Sequence, residues 1–196
     1  MKLRELGGLV LVLTIFSTAA FAEPKSVRWT GNDDKNAELN HVLTLIEQKT
    51  QFAFTPADFV TIENLDLANN HFQMLVQTAA GTPVKGMAIR IWTDLKSHET
   101  VQIEAQLESP VKVAPIVQKF ALMHSFGLLL STDRALDLAR ESLKGEEDAA
   151  SLHLKDATNY WSQGELVRQF KFRGKHGVHS VSVSLAHSRV TESRYQ

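Results

Sequence analysis

The sequence predicts an α+β protein of two small subdomains in tandem, each a helix laid on an antiparallel sheet. Three observations predict it. Apolar residues recur at every second position through 71–107 and again through 166–185, the period of a half-buried strand. Apolar stripes at helical spacing precede each of those stretches: Leu39, Val42, Leu43 and Ile46, then Ala135, Leu136, Ala139 and Leu143. Between the halves, residues 109–130 carry Pro110 and Pro115 and read as a connection, with room for a helix over 115–126.

Taken in order, the chain opens as an export leader. Lys2 and Arg4 form a basic start, Leu9–Phe16 an apolar core, and Ala20-Phe21-Ala22 an A-x-A-like cleavage site. The apolar run is too short to span ~30 Å of hydrocarbon. Removing residues 1–22 leaves 174 residues and moves the formal charge from −1 to −2, with no membrane span expected in what remains. A near-neutral chain without a basic stripe gives nucleic acid nothing to hold. There is no cysteine, so an exported protein of this sequence must be stabilised by its core, without disulfides. The expected boundaries are 1–22 for the leader, 23–108 for the first subdomain, 109–130 for the linker and 131–196 for the second subdomain.

Asp33-Asp34 precede the first helix, and Lys49 suits its C-terminal dipole. Residues 52–68 allow two readings: Thr55-Pro56-Ala57-Asp58 can open a short helix, whereas Phe59-Val60-Thr61-Ile62 prefers strand. Next comes a three-stranded meander. Phe72, Met74 and Val76 are expected on its apolar face, with Gln73 and Gln77 on the polar one. Pairing residue 79 with 84 sets Phe72 by Ile91, Met74 by Ile89 and Val76 by Met87. A slip of one residue would mix the faces. In the second half Ser131 caps a helix that Lys144-Gly145 ends. Then Leu166, Phe170 and Phe172 meet Val181, Val183 and Leu185 across the turn Gly174-Lys175-His176-Gly177. Arg168 falls on the apolar side, its head expected at an edge or on a carboxylate.

Little in the chain carries chemistry. His179 and His187 share a strand face but lie eight residues apart, about 26 Å at the extended rise, too far for one ion. His98-Glu99-Thr100-Val101-Gln102 approaches the zinc-protease pattern, but Gln102 stands where the second His is needed, and the segment is not helical. There is no thiol, no G-x-S-x-G elbow and no phosphate-binding glycine loop. Ser180, Ser182 and Ser184 line a sheet face without an evident base. The expectation is therefore a non-enzyme with no cofactor and no metal.

The turn Gln77-Thr78-Ala79-Ala80-Gly81-Thr82-Pro83-Val84-Lys85-Gly86 is the most distinctive stretch. Gly81 tolerates a positive φ at the tip. Pro83 fixes φ at a strand start where no ladder donor is lost. Gly86 is expected to let another group come close. The spacing resembles the Q-x-x-x-G-x-P-V-x-G signature of the fungalysin/thermolysin propeptide motif. Ser131–Ala139 and Ser184–Val190 resemble elements of a PepSY domain, although Ser184-Leu185 replace its usual Val-Asp and Ser188-Arg189 its Thr-Gly. The resemblance implies a propeptide-like module that inhibits a thermolysin-like zinc metalloprotease, or assists its folding, by surface binding, in the periplasm or outside the cell. No protease domain accompanies it through Gln196. The expected binding face is Gln73, Gln77, Arg90, Trp92, Gln102 and Glu104, with Val190–Gln196 as a tail. One alternative is a general envelope protein–protein interaction domain without a protease partner. Another is a small-ligand carrier with its pocket between the halves.

Overall fold

Gly86 decides much of the architecture. In the computed structural model, which describes residues 24–36, 39–145, 151–175 and 177–195, strands β3 (Asn70–Ala79) and β4 (Thr82–Asp94) form a hairpin. Its tip residues Ala80 (φ 48°) and Gly81 (φ 73°) are both left-handed, the geometry of a type I′ turn. Thr78 pairs with Pro83, but the next pair along is Val76 with Ala88. The extra residues of β4 form a bulge at Gly86, whose φ is 75°. No atom lies within 4 Å of where a methyl group on Gly86 would sit. The glycine is there for its backbone angle, and the expected close approach to it is absent.

The bulge moves the hairpin one residue out of the expected register. Phe72 pairs with Trp92, Met74 with Arg90 and Leu75 with Ile89. Leu75, not Phe72, Met74 and Val76, therefore shares the core face with Ile89 and Ile91. β5 (Glu99–Leu107) continues that face with Ile103, Ala105 and Leu107, and β1 (Lys25–Asn36) extends it with Val27 and Trp29. Helix α1 (Leu39–Thr50) covers this side through Val42, Leu43 and Ile46. Both readings of 52–68 are realised in succession. A 3-10 turn at Pro56–Asp58, where the Asp58 carboxylate accepts from the Thr55 N–H and O–H, leads into β2 (Phe59–Leu67), an edge strand paired with β3.

Residues 109–130 contain α2 (Pro110–Ser125), whose Phe120 meets Trp161 edge-on at 5.1 Å. α3 (Thr132–Ser142) follows, capped as expected by Ser131, which accepts from the Arg134 N–H at 3.3 Å. It covers an antiparallel meander of β6 (His153–Ser162), β7 (Glu165–Arg173), β8 (Val178–Ser184) and β9 (Arg189–Tyr195). Phe170 pairs with Val181 as the alternation predicts. Arg168 donates to Asn159 and Thr132 rather than to a carboxylate. The expected tail 190–196 is, as far as Tyr195, a paired strand.

The two expected subdomains are not separate. β4 and β6 pair in parallel at Val84 and Trp161, which joins every strand into one nine-stranded mixed sheet in the order β1-β5-β4-β6-β7-β8-β9, with β3 on β4 and β2 on β3. The physical reason is the bulge. By leaving the ladder with β3, residues 84–87 expose backbone to β6, and Val84 and Met87 form a third apolar cluster with Phe120 and Trp161. The indole of Trp161 donates to the Ala79 carbonyl at 3.0 Å. Lys85 reaches past the Tyr160 ring to Glu192 on β9 at 2.6 Å.

Candidate functional site

The first sheet has two faces, and α1 packs on one. The register places Ser26, Arg28 and Thr30 of β1, Gln102, Glu104 and Gln106 of β5, Ala88, Arg90 and Trp92 of β4, and Phe72, Met74 and Val76 of β3 on the other. Val60, Leu65 and Leu67 of β2 continue it, 40–50% exposed. This open face is half apolar and half charged. Its apolar side runs from β2 to Trp92, with Phe72 and Trp92 in contact at 5.2 Å and Met74, Val76 and Trp92 half-buried. Its polar side is a row across three strands, Arg90 opposite Glu104 opposite Arg28. The Arg28 Nε lies 3.4 Å from the Glu104 carboxylate, which also accepts from Gln102 at 3.0 Å.

Four of the six residues expected at a binding face, Arg90, Trp92, Gln102 and Glu104, are brought together here. Gln73 and Gln77 lie on the opposite, α1-covered side, because of the register shift at Gly86. Gln77 is buried and does a structural task. Its amide donates to the Glu108 carbonyl at 2.9 Å and accepts from the Glu108 N–H at 3.0 Å, fixing the chain as it leaves β5 for α2. Of the turn residues, Gly81 and Gly86 serve backbone conformation, and Pro83 sits second in β4, opposite Thr78.

A cluster that sequence reasoning missed lies where β7 begins and the β8–β9 turn closes. Glu165 Oε1 is 3.0 Å from His187 Nδ1 and 3.2 Å from an Arg189 nitrogen, and Ser184 Oγ is 3.4 Å from the same Nδ1. Serine, histidine and carboxylate invite comparison with a hydrolytic triad. A relay, however, uses the two imidazole nitrogens separately, whereas here both partners crowd one; moreover Ser184 is fully buried. The group is a clasp on the turn. Burial works against the Glu165 charge, but hydrogen bonds from Ser184 and His187 and the attraction of His187 and Arg189 prevail and hold its carboxyl below the usual range. At the junction, burial likewise opposes the Lys85 ammonium, and Glu192 outweighs it, raising the Lys85 pKa. Glu192 is lowered, first by its hydrogen bond from Lys85.

A cleft of ≈ 430 Å³ also opens between the halves, lined by Val84, Met87, Val113, Ile116 and Trp161 with Lys85 and Glu108 at its margin. Among the described residues no three His, Cys, Asp or Glu side chains are placed to hold one metal ion. The expected leader, residues 1–22, lies outside the described residues, as does His176 of the second turn.

Comparison with known proteins adds little. No family model matches the chain, so the propeptide resemblance of residues 77–86 has no support beyond those residues. No curated protein matches either. Among solved structures, the chain is similar to the Bacillus megaterium YpeB C-terminal domain, a PepSY-like domain. The two share 11% identity and a TM-score of 0.38, over 86% of this chain and 71% of that one.

Proposed function

We propose that this chain is an exported, non-catalytic protein-binding module that grips a folded partner with the open face of its first sheet. The observation that carries the reading is the pairing of a part-exposed apolar surface, Val60, Leu65, Met74, Val76 and Trp92, with the charge row of Arg90, Glu104 and Arg28 on one helix-free side. Contact surfaces combine an apolar, aromatic-rich centre with a polar rim in this way, and Trp and Arg are the residues that most often anchor them. A thermolysin-like zinc metalloprotease is the partner to test first, because Gln77–Gly86 resembles the propeptide motif; binding would inhibit the protease or assist its folding.

The test is a titration of the chain cleaved after Ala22 against thermolysin-like proteases of the same source, following hydrolysis of a peptide substrate and recovery of refolded protease. Dose-dependent inhibition or improved recovery is expected. Replacing Trp92 and Arg90 together by alanine should weaken the effect by about tenfold or more, as loss of two anchors does, in a chain that still unfolds cooperatively although its melting temperature falls with the loss of the Phe72–Trp92 contact. Absence of any effect on those proteases, with the same face still retaining another envelope protein, would make this a general envelope interaction domain.

A further inference from the structure

β2 is an edge strand of unusual make-up. Eight of its nine residues are exposed, including Val60 (50%), Ile62 (54%), Leu65 (40%) and Leu67 (48%). Edge strands are ordinarily blunted by lysine, because an unpaired row of N–H and C=O groups invites another strand. The other edges of this sheet follow that rule. β1 carries Lys25 and Arg28, the free length of β6 carries Lys155, and β9 carries Arg189 and Arg194. β2 carries none. From Thr50 to Val84 the sequence holds no lysine or arginine at all, while Asp58, Glu63 and Asp66 fall within or next to the strand. Asp66 lies 2.7 Å from the His71 ring on the neighbouring strand, and Glu63 is exposed.

We propose that β2 is a strand-addition site, and that its occupant is an extended segment of a partner protein in which aliphatic and basic residues alternate. This rests on the protein-binding reading above and names how part of the partner is held. The main chain of the added segment would complete the ladder. Its aliphatic side chains would cover Val60, Leu65 and Leu67 on the open face, which Glu63 shares, and its cations would lie on the opposite face beside Asp66. Charge decides against a second copy of this chain, since antiparallel self-pairing of β2 over its full length sets Glu63 against Glu63. An acidic segment is rejected for the same reason.

The probe is an extended peptide of about eight residues, the length of the exposed run, alternating valine with lysine, and its counterpart with glutamate for lysine. Binding to the whole chain is read by anisotropy of a labelled peptide and by amide hydrogen exchange. The lysine peptide is expected to bind at least about tenfold tighter than the glutamate one, as like-charge contacts are costly, and to slow exchange in 60–67 but not in 25–30 or 189–195. The double variant Ile62→Lys with Leu65→Lys, both at exposed positions, should lose that binding while keeping the melting temperature. Equal binding of the two peptides, protection at another edge, or no binding near ~1 mM, the weak end of measurable affinity, would overturn the proposal. So would a dimer that itself protects 60–67. Because the protease titration reads the open face through Trp92 and Arg90, retained protease binding with no peptide binding sinks strand addition alone, and the reverse sinks only the open-face reading.

Discussion

Gln77 shows how a polar side chain on a strand can belong to the core. It gives and takes one hydrogen bond with the Glu108 backbone out of reach of solvent. Gln77→Ala leaves both Glu108 groups unsatisfied and should cost about 2–3 kcal/mol, since an orphaned buried group costs ~1–3 kcal/mol; urea unfolding measures it. The two turn positions predict opposite signs. Gly86→Ala forces a methyl-bearing residue to φ 75° and should lose about 1–2 kcal/mol, although the space around it is open. Ala80→Asn gives the type I′ turn its preferred Asn-Gly pair and should gain about 0.5–1 kcal/mol, part of that same left-handed penalty. Thermal melts of the two variants against the parent check both signs. Were Gly86 needed for a close approach, its replacement by asparagine, which tolerates this φ, would be as damaging as alanine; it should instead be milder.

Among the elements, those with one wet and one dry face were legible. α3 announced itself by Ser131 and its alanine–leucine stripe, and β7 with β8 by the alternation around Phe170 and Val181. The strands that sequence reasoning missed, β1, β6 and β9, have mostly polar sequences, and much of their length is exposed; β1 alternates only over Ser26–Thr30, with Val27 and Trp29 as its two apolar residues, too short a run to stand out. β3 misled for the opposite reason. Phe72, Met74 and Val76 make one parity apolar, yet Leu75 of the other parity is the residue the core takes. A bulge whose purpose is to reach β6, distant in sequence, settled that choice, and no local pattern encodes it. Of the candidate face, Arg90, Trp92, Gln102 and Glu104 were legible because their strands keep strict alternation; β2's contribution was not. The junction itself is testable as an element. Trp161→Phe keeps the ring against Phe120 but strands the Ala79 carbonyl, and should cost about 1–2 kcal/mol, read by chemical denaturation.

Across the described residues, the two halves of a nine-stranded sheet are tied by a backbone pair, the Trp161 indole, the Lys85–Glu192 ion pair and the apolar cluster of Val84, Met87, Phe120 and Trp161. Glu165 and Glu192 both have lowered carboxyl pKa values. Their contribution is therefore present above the ordinary value near 4.5 and is lost as pH falls through their folded values. Lys85, raised, contributes fully below 10.5 and loses its share only as pH climbs past that. The melting temperature should thus fall as pH drops below 4.5, and Lys85→Met should reduce that acid-side drop. Partial exposure of Lys85 and Glu192 keeps the effect of this pair small, within about 1 kcal/mol.

The cation-free run from Thr50 to Val84 has a practical result for anyone hunting the binding partner. Amine-reactive cross-linkers find no lysine on β2 to attach to, and trypsin has no site between Lys49 and Lys85. A survey relying on those reagents would pass over this edge whether or not anything sits there; carboxylate-directed coupling through Glu63 and Asp66 would see it.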